Sequence, residues 1–290
     1  MSRKIKFYLT DVFGNNKYRG NQLATLVNCG FLSDEEMQQI AREINFSETT
    51  FILKDQIING GYDVRIFTPG AEVDFAGHPT LGTAFIINNM IAPGKSASVT
   101  LNLKVGQIKV SFTDDIIWMK QIEPVFNDGP DHSYMAKLLS LEINDIDERF
   151  PIQQVSTGLP FTIIPLKNIG ALKRCKVDLS LYEDFCSRVE AKGILVFSPE
   201  AYEKEQDLSV RVFVDYLGIP EDPATGSGNG CLAGYLVKNR YFDKSEINIV
   251  TGQGYEINRP SHIYLKAGGT GSININVGGK VIKIAEGEWE

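Results

Sequence analysis

The chain has 290 residues, 43% of them apolar and 22% charged, and carries a formal net charge of −7. That balance belongs to a folded globular chain and excludes bulk disorder; the negative charge disfavours nucleic acid or an anionic membrane surface as the main partner. The apolar runs are too short to span a bilayer as helices, and the start MSRKIKFYLTDVFG lacks the apolar stretch and cleavage site of a secretory leader, so a cytoplasmic, membrane-free protein is expected.

Taken in chain order, short alternating segments bounded by turn residues predict strands at 5–12, 23–28, 50–54, 62–67, 97–102, 107–112 and 116–120. Between the second and third of these, Ser33-Asp34-Glu35-Glu36 reads as a capping box, with the apolar stripe Met37, Ile40, Ala41 and Ile44 at helical spacing behind it. Gly77-His78-Pro79-Thr80 opens a second helix, Leu81 to Met90, that is apolar on most faces and therefore expected to be buried. The stretch 121–132, with Pro124, Asp128, Gly129 and Pro130, reads as a linker. Beyond it, strands are expected at 161–166, 193–197, 208–214, 246–250, 262–266, 272–277 and 280–285. A further capping box, Ser180-Leu181-Tyr182-Glu183, opens a helix with Tyr182, Phe185, Cys186 and Val189 as its apolar positions, and Gly226-Ser227-Gly228-Asn229 opens another apolar helix, Cys231 to Val237.

The two halves repeat three landmarks in one order. Ser180 lies 147 residues after Ser33, Val210-Arg211-Val212-Phe213 lies 146 after Val64-Arg65-Ile66-Phe67, and Ser227 lies 149 after His78. We read a duplicated unit of roughly 145 residues. The expected architecture is an α/β fold of two pseudo-symmetric halves, each a barrel-like sheet curled around one apolar helix. The expected domains are 1–125, carrying Glu48 and His78, and 126–290, carrying Asp222 and Ser227, and a return of the last strand to the first domain is left open.

Scarce residue types narrow the chemistry. The four cysteines, at 29, 175, 186 and 231, have no metal-site spacing and are expected to be free buried thiols. With three histidines and no H-E-x-x-H, Walker or EF-hand motif, chemistry without a metal is expected. Helix N-termini carry unpaired N–H groups and partial positive charge, which favour a carboxylate or phosphate. If the halves face each other, the two apolar helix starts converge on one cleft. The same glycines could also simply permit helix packing, and His78 could be a cap. Glu48 stands between the first capped helix and a strand, where partial desolvation would raise its pKa toward that of a useful base. By an offset of 147 its counterpart is Leu195, so the repeat does not account for the carboxylate. Asp222 could bond a substrate or its own turn, while Glu72 and Asp74 read as candidates that could equally be surface charges.

The segments Asp11-Val12-Phe13, Ser47-Glu48-Thr49, Phe67-Thr68-Pro69, Gly77-His78-Pro79-Thr80-Leu81-Gly82, Glu221-Asp222-Pro223-Ala224-Thr225-Gly226-Ser227 and Gly252-Gln253-Gly254 resemble the PhzF-like isomerases of phenazine biosynthesis. The resemblance runs from residue 11 to 261. It implies a diaminopimelate epimerase-like fold, a homodimer, no cofactor, and a small carboxylate-bearing substrate such as dihydro-3-hydroxyanthranilate. It implies Glu48 as catalytic acid/base aided by His78, Asp222 and Ser227, with Gly77, Thr225 and Gly226 holding the substrate near the helix starts. The epimerases of that superfamily place a cysteine before each helix start; here those positions hold Ala76 and Thr225, which disfavours a two-thiol racemase. An epimerase working through Glu48, or a protein that binds a small acid without turnover, are the other readings.

Overall fold

The structure is a computed structural model and describes residues 4–92 and 96–290. The chain forms two compact units: one runs to Met119 and takes in Gly278–Glu290, and the other comprises Lys120–Val277. The elements of the first are β1 (Ile5–Val12), β2 (Asn21–Val27), α1 (Asp34–Ile44), β3 (Glu48–Ile52), β4 (Tyr62–Phe67), β5 (Glu72–Val73), α2 (Gly77–Ile86), β6 (Ser98–Leu103), β7 (Gly106–Thr113) and β8 (Ile116–Lys120). Then follow β9 (Val125–Asp128), α3 (His132–Leu138), β10 (Gln153–Ser156), β11 (Pro160–Pro165), α4 (Ile169–Arg174), α5 (Leu179–Arg188), β12 (Gly193–Ser198), β13 (Leu208–Val214), β14 (Ile219–Asp222), α6 (Gly226–Lys238), β15 (Glu246–Gln253), β16 (Ser261–Gly268), β17 (Asn274–Gly279) and β18 (Val281–Trp289).

Strand pairing is the same in both units. In the first, β2 runs parallel to β3, β3 antiparallel to β4, β4 antiparallel to β5 and parallel to β6, and β6 antiparallel to β7. In the second, β11, β12, β13, β14, β15 and β16 repeat that order and those senses. β18 pairs with β1 on the side away from β2, so the last strand belongs to the first unit. The fold is thus α/β with two pseudo-symmetric halves.

Each unit wraps its sheet around one helix. Strands β1, β2, β3, β6, β7 and β18 all touch α2, and β10, β11, β12, β15 and β16 touch α6. Every residue of α2 except Phe85, and every residue of α6 except Lys238, is buried. This is why neither helix shows a polar stripe: no face meets water. Close approach needs a missing side chain at Gly82, where a Cβ would meet Leu23 at 2.5 Å and Val12 at 2.9 Å. After Ile86 the helix widens into a π turn over Ile87–Ile91 rather than running as α-helix to Met90.

The amphipathic helices start differently from one another. At α1 the expected capping box forms: Glu36 N–H donates to Ser33 Oγ at 3.2 Å and Ser33 N–H to Glu36 Oε2 at 2.7 Å. Asn45 ends the helix in the left-handed region, its N–H bonded to Ala41 O. At α5 the expected box at Ser180 is not the start. Asp178 caps instead, its Oδ1 accepting from Ser180 N–H at 2.9 Å and from Ser180 Oγ at 2.6 Å, because a carboxylate also complements the helix dipole. The stretch 121–132, expected as a linker, carries β9, which pairs with β10.

Candidate active site

One ion pair is common to both units and defines their equivalence. Arg65 of β4 grips Glu72 of β5 with two bonds, Nε to Oε1 at 2.7 Å and Nη2 to Oε2 at 2.8 Å. Arg211 of β13 grips Glu221 of β14 in the same way, at 2.9 and 2.7 Å. Glu72 is therefore part of the frame and not a loose surface charge: the Arg65 guanidinium holds its carboxyl below the usual range. With Arg65 matched to Arg211, strand register fixes every other correspondence.

Glu48 opens β3, immediately after the α1 cap, and pairs with Leu23. In the register of β3 on β4, Arg65 lies opposite Phe51; in that of β12 on β13, Arg211 lies opposite Val196. Three residues earlier on each strand, the counterpart of Glu48 is Gly193 and not Leu195. Offsets counted along the chain missed this because loops of different length separate the landmarks. The position has room for no side chain in the second unit: a Cβ on Gly193 would meet the Phe161 ring at 2.7 Å.

His78 sits in the first turn of α2, and its Nε2 lies 3.5 Å from Glu48 Oε2, with the two side chains 6% and 18% exposed. Burial pushes the imidazole down to about 3, against the opposing pull of a hydrogen bond to the backbone of Gln22. His78 is consequently neutral at pH 7, and its contact with Glu48 is that of a neutral ring with a carboxyl group, not an ion pair. Behind Glu48 on the same face of β3 lies a buried hydroxyl column. Thr83 Oγ1 donates to Thr50 Oγ1 at 2.8 Å, which donates to Thr25 Oγ1 at 2.9 Å. The register positions in the second unit hold Leu232, Leu195 and Ile163.

In the second unit Asp222 ends β14, and its register counterpart in the first is Val73. Its Oδ2 accepts from Thr225 Oγ1 at 2.5 Å. Gly226 and Ser227 begin α6 directly after Thr225, and both are buried. Among the described residues no side chain caps the start of α2 or of α6. Ala76 and Thr225 are the residues before those starts, so no thiol stands there. Burial pushes the Cys231 thiol up to about 11, and Cys29 and Cys175 up to about 12. The structure thus brings Glu48 together with His78 in one unit, and Asp222 together with Thr225, Gly226 and Ser227 in the other.

Residues 10–287 match the family model described as phenazine biosynthesis-like protein. The chain belongs to the PhzF family of isomerases. Within that family it is 30% identical over 289 residues to the trans-2,3-dihydro-3-hydroxyanthranilate isomerase of Pseudomonas aeruginosa, covering 97% of this chain and 98% of that one. An uncharacterized isomerase of Clostridium acetobutylicum is 32% identical over 273 residues, 89% of this chain and 88% of that one. The crystal structure of the Bacillus anthracis phenazine biosynthesis protein of the PhzF family superposes with a TM-score of 0.90 at 27% identity, each chain covered completely.

Sequence reasoning passed over several buried polar side chains near these candidate residues. Gln253, Asn229, Thr251 and the threonine column lie far apart in the chain, and none has a spacing that announces a role. Gln253 falls inside a family-like segment, yet only its hydrogen bonds reveal what it holds. Among the described residues no helix is long and apolar enough to cross a membrane.

Proposed function

We propose that this isomerase moves a proton between two carbons of a small carboxylate-bearing substrate of the trans-2,3-dihydro-3-hydroxyanthranilate type, with Glu48 as the acid/base. The observation that carries the reading is the pair of half-buried Glu48 and buried His78, with Glu48 standing where the twin unit has Gly193. A carboxyl group largely shielded from water can take a proton from carbon and return it before solvent exchanges it. One ring nitrogen of neutral His78 donates to the Gln22 backbone, which leaves Nε2 to accept from the Glu48 carboxyl group whenever that group carries its proton, with no charge to bury. Each uncapped helix start, that of α2 at Gly77 and that of α6 at Thr225 and Gly226, suits a carboxylate, and Asp222 and Ser227 suit amine and hydroxyl groups.

The test is isomerisation of trans-2,3-dihydro-3-hydroxyanthranilate in deuterated water by wild type and Glu48→Gln. A positioned acid/base contributes roughly 10²–10⁴-fold, so kcat should fall at least about 100-fold. The wild-type product should retain much of the migrating hydrogen. Turnover by Glu48→Gln at the wild-type rate removes Glu48 from the mechanism. Complete washing-in of deuterium at a single stereocentre, with no shift of position, would indicate an epimerase instead.

A further inference from the structure

The polar residues behind Asp222 form a closed hydrogen-bond circuit. Gln253, the last residue of β15, is fully buried. Its Nε2 donates to the Asp222 carbonyl at 2.7 Å and to Thr225 Oγ1 at 3.0 Å. Its Oε1 accepts from Asn229 Nδ2 at 2.8 Å and from the Thr225 N–H at 3.3 Å. Asn229 also donates to the Thr225 carbonyl at 3.0 Å and accepts from Thr251 Oγ1 at 2.6 Å.

The backbone partners fix the direction of every bond, because a carbonyl only accepts and an N–H only donates. The Gln253 amide is thus oriented with its NH2 toward Thr225 Oγ1, which must accept. A hydroxyl has one proton, so the proton of Thr225 goes to Asp222 Oδ2 at 2.5 Å. The hydroxyl is engaged internally on both sides.

The fold itself does not need this circuit. The twin unit builds the same helix start with Val73, Ala76, Leu101 and Leu103 at the register positions of Asp222, Thr225, Thr251 and Gln253. There Thr80, the counterpart of Asn229, keeps just the bond back to the residue before the helix, Ala76 O at 2.7 Å. The circuit is present in the unit whose β14 ends in a carboxylate.

We propose that Gln253 and Thr225 are positioning residues for Asp222. The Gln253 amide clamps the turn from β14 into α6, and the Thr225 hydroxyl holds one carboxylate oxygen, so that the carboxylate keeps a single orientation. Thr225 thereby acts through Asp222 and not on the substrate by its side chain. The proposal rests on the reading that Asp222 serves the isomerase site.

The experiment measures kcat and KM for trans-2,3-dihydro-3-hydroxyanthranilate in Asp222→Asn, Thr225→Val, Thr225→Ser and Gln253→Leu. Loss of a hydrogen bond to a charged group predicts a fall in kcat of about 10-fold or more for Thr225→Val, with KM moved by less than about 3-fold. Thr225→Ser, which keeps the hydroxyl, should restore kcat to within about 3-fold of wild type. The Thr225→Val/Gln253→Leu double variant should be no worse than the poorer single one, since both remove the same link. Full kcat in Thr225→Val alongside an inactive Asp222→Asn overturns the positioning role; full kcat in Asp222→Asn overturns the underlying reading instead. A urea double-mutant cycle between Asp222→Ala and Thr225→Val needs no turnover. It should show a coupling of about 10-fold in the unfolding constant, and no coupling overturns the proposal.

Discussion

Gly193 occupies in the second unit the register position that Glu48 occupies in the first, and the Phe161 ring fills the space a side chain would need there. One duplicated strand start thus carries a carboxylate in one copy and has been packed shut in the other. Gly193→Ala should accordingly overpack the unit and destabilise it by about 1–3 kcal/mol in urea unfolding, while leaving the Glu48–His78 pair of the other unit unaltered.

The hydroxyl column offers a different comparison between the twins. Thr50→Val alone removes the central member, leaving Thr25 and Thr83 buried with a lost partner. That should cost about 1–3 kcal/mol. Replacing Thr25, Thr50 and Thr83 together by valine should be much nearer neutral, because the second unit fills those positions with Ile163, Leu195 and Leu232. Equilibrium unfolding of the single and triple variants decides it: a triple variant worse than the sum of its parts would contradict the reading.

The shared arginine pairs should differ in worth. Arg211 is 9% exposed and also donates to the carbonyls of Leu172 and Cys175, so Arg211→Ala leaves Glu221 and two carbonyls buried. A loss of about 3–5 kcal/mol is expected. Arg65 is 21% exposed, its second carboxylate partner Asp34 is 76% exposed, and Lys104 also reaches Glu72. Arg65→Ala should therefore cost only about 1 kcal/mol.

His78 predicts an acid sensitivity whose sign is fixed. Its imidazole is held near pH 3 when folded, against an ordinary value near 6.5, so between those limits the unfolded chain binds the extra proton. Stability should be unaffected by this group above about pH 7 and fall as the pH drops through 6.5 toward 3, by at most about 1.4 kcal/mol per pH unit. Urea midpoints at pH 7 and pH 5 should separate less in His78→Gln than in wild type.

Thiol reagents check the chemistry the helix starts lack. Cys29, Cys175 and Cys231 are buried and Cys186 is partly exposed. The native protein should react rapidly at Cys186 alone and at four thiols when unfolded, and alkylation of Cys186 should leave isomerase activity intact.

The local pattern of this chain was legible where a single segment decides its own structure. The Ser33 box, the alternating strands and the two helices without a polar stripe all followed from residues within one turn or one strand. The short strands β5, β9, β10 and β14 were not legible, since two to four residues carry no period and form only because a neighbour pairs with them. Asp178 displaced Ser180 as a cap because its carboxylate also complements the helix dipole, which the Ser-x-x-Glu spacing does not register. Of the candidate site, His78 and Asp222 stood out as chemistry-bearing side chains beside helix starts, and Glu48 as a carboxylate between a capped helix and a strand. Their counterparts did not: the Glu48–Gly193 equivalence needs hydrogen-bond register, which an offset along the chain only approximates. Gln253 and Thr225 needed the direction of each proton.

The pairing of β18 with β1 has a consequence for biosynthesis. The first unit contains Glu48 and is translated first, yet β1 acquires its outer neighbour only when residues 281–289 emerge. The second unit is contiguous and has its whole sequence by Val277. On the ribosome the order of completion is therefore reversed: the second unit can close first, and the unit holding Glu48 waits for the strand at 281–289. A chain lacking that strand would carry Glu48 and His78 on a sheet with an open edge, exposed to pairing with another chain.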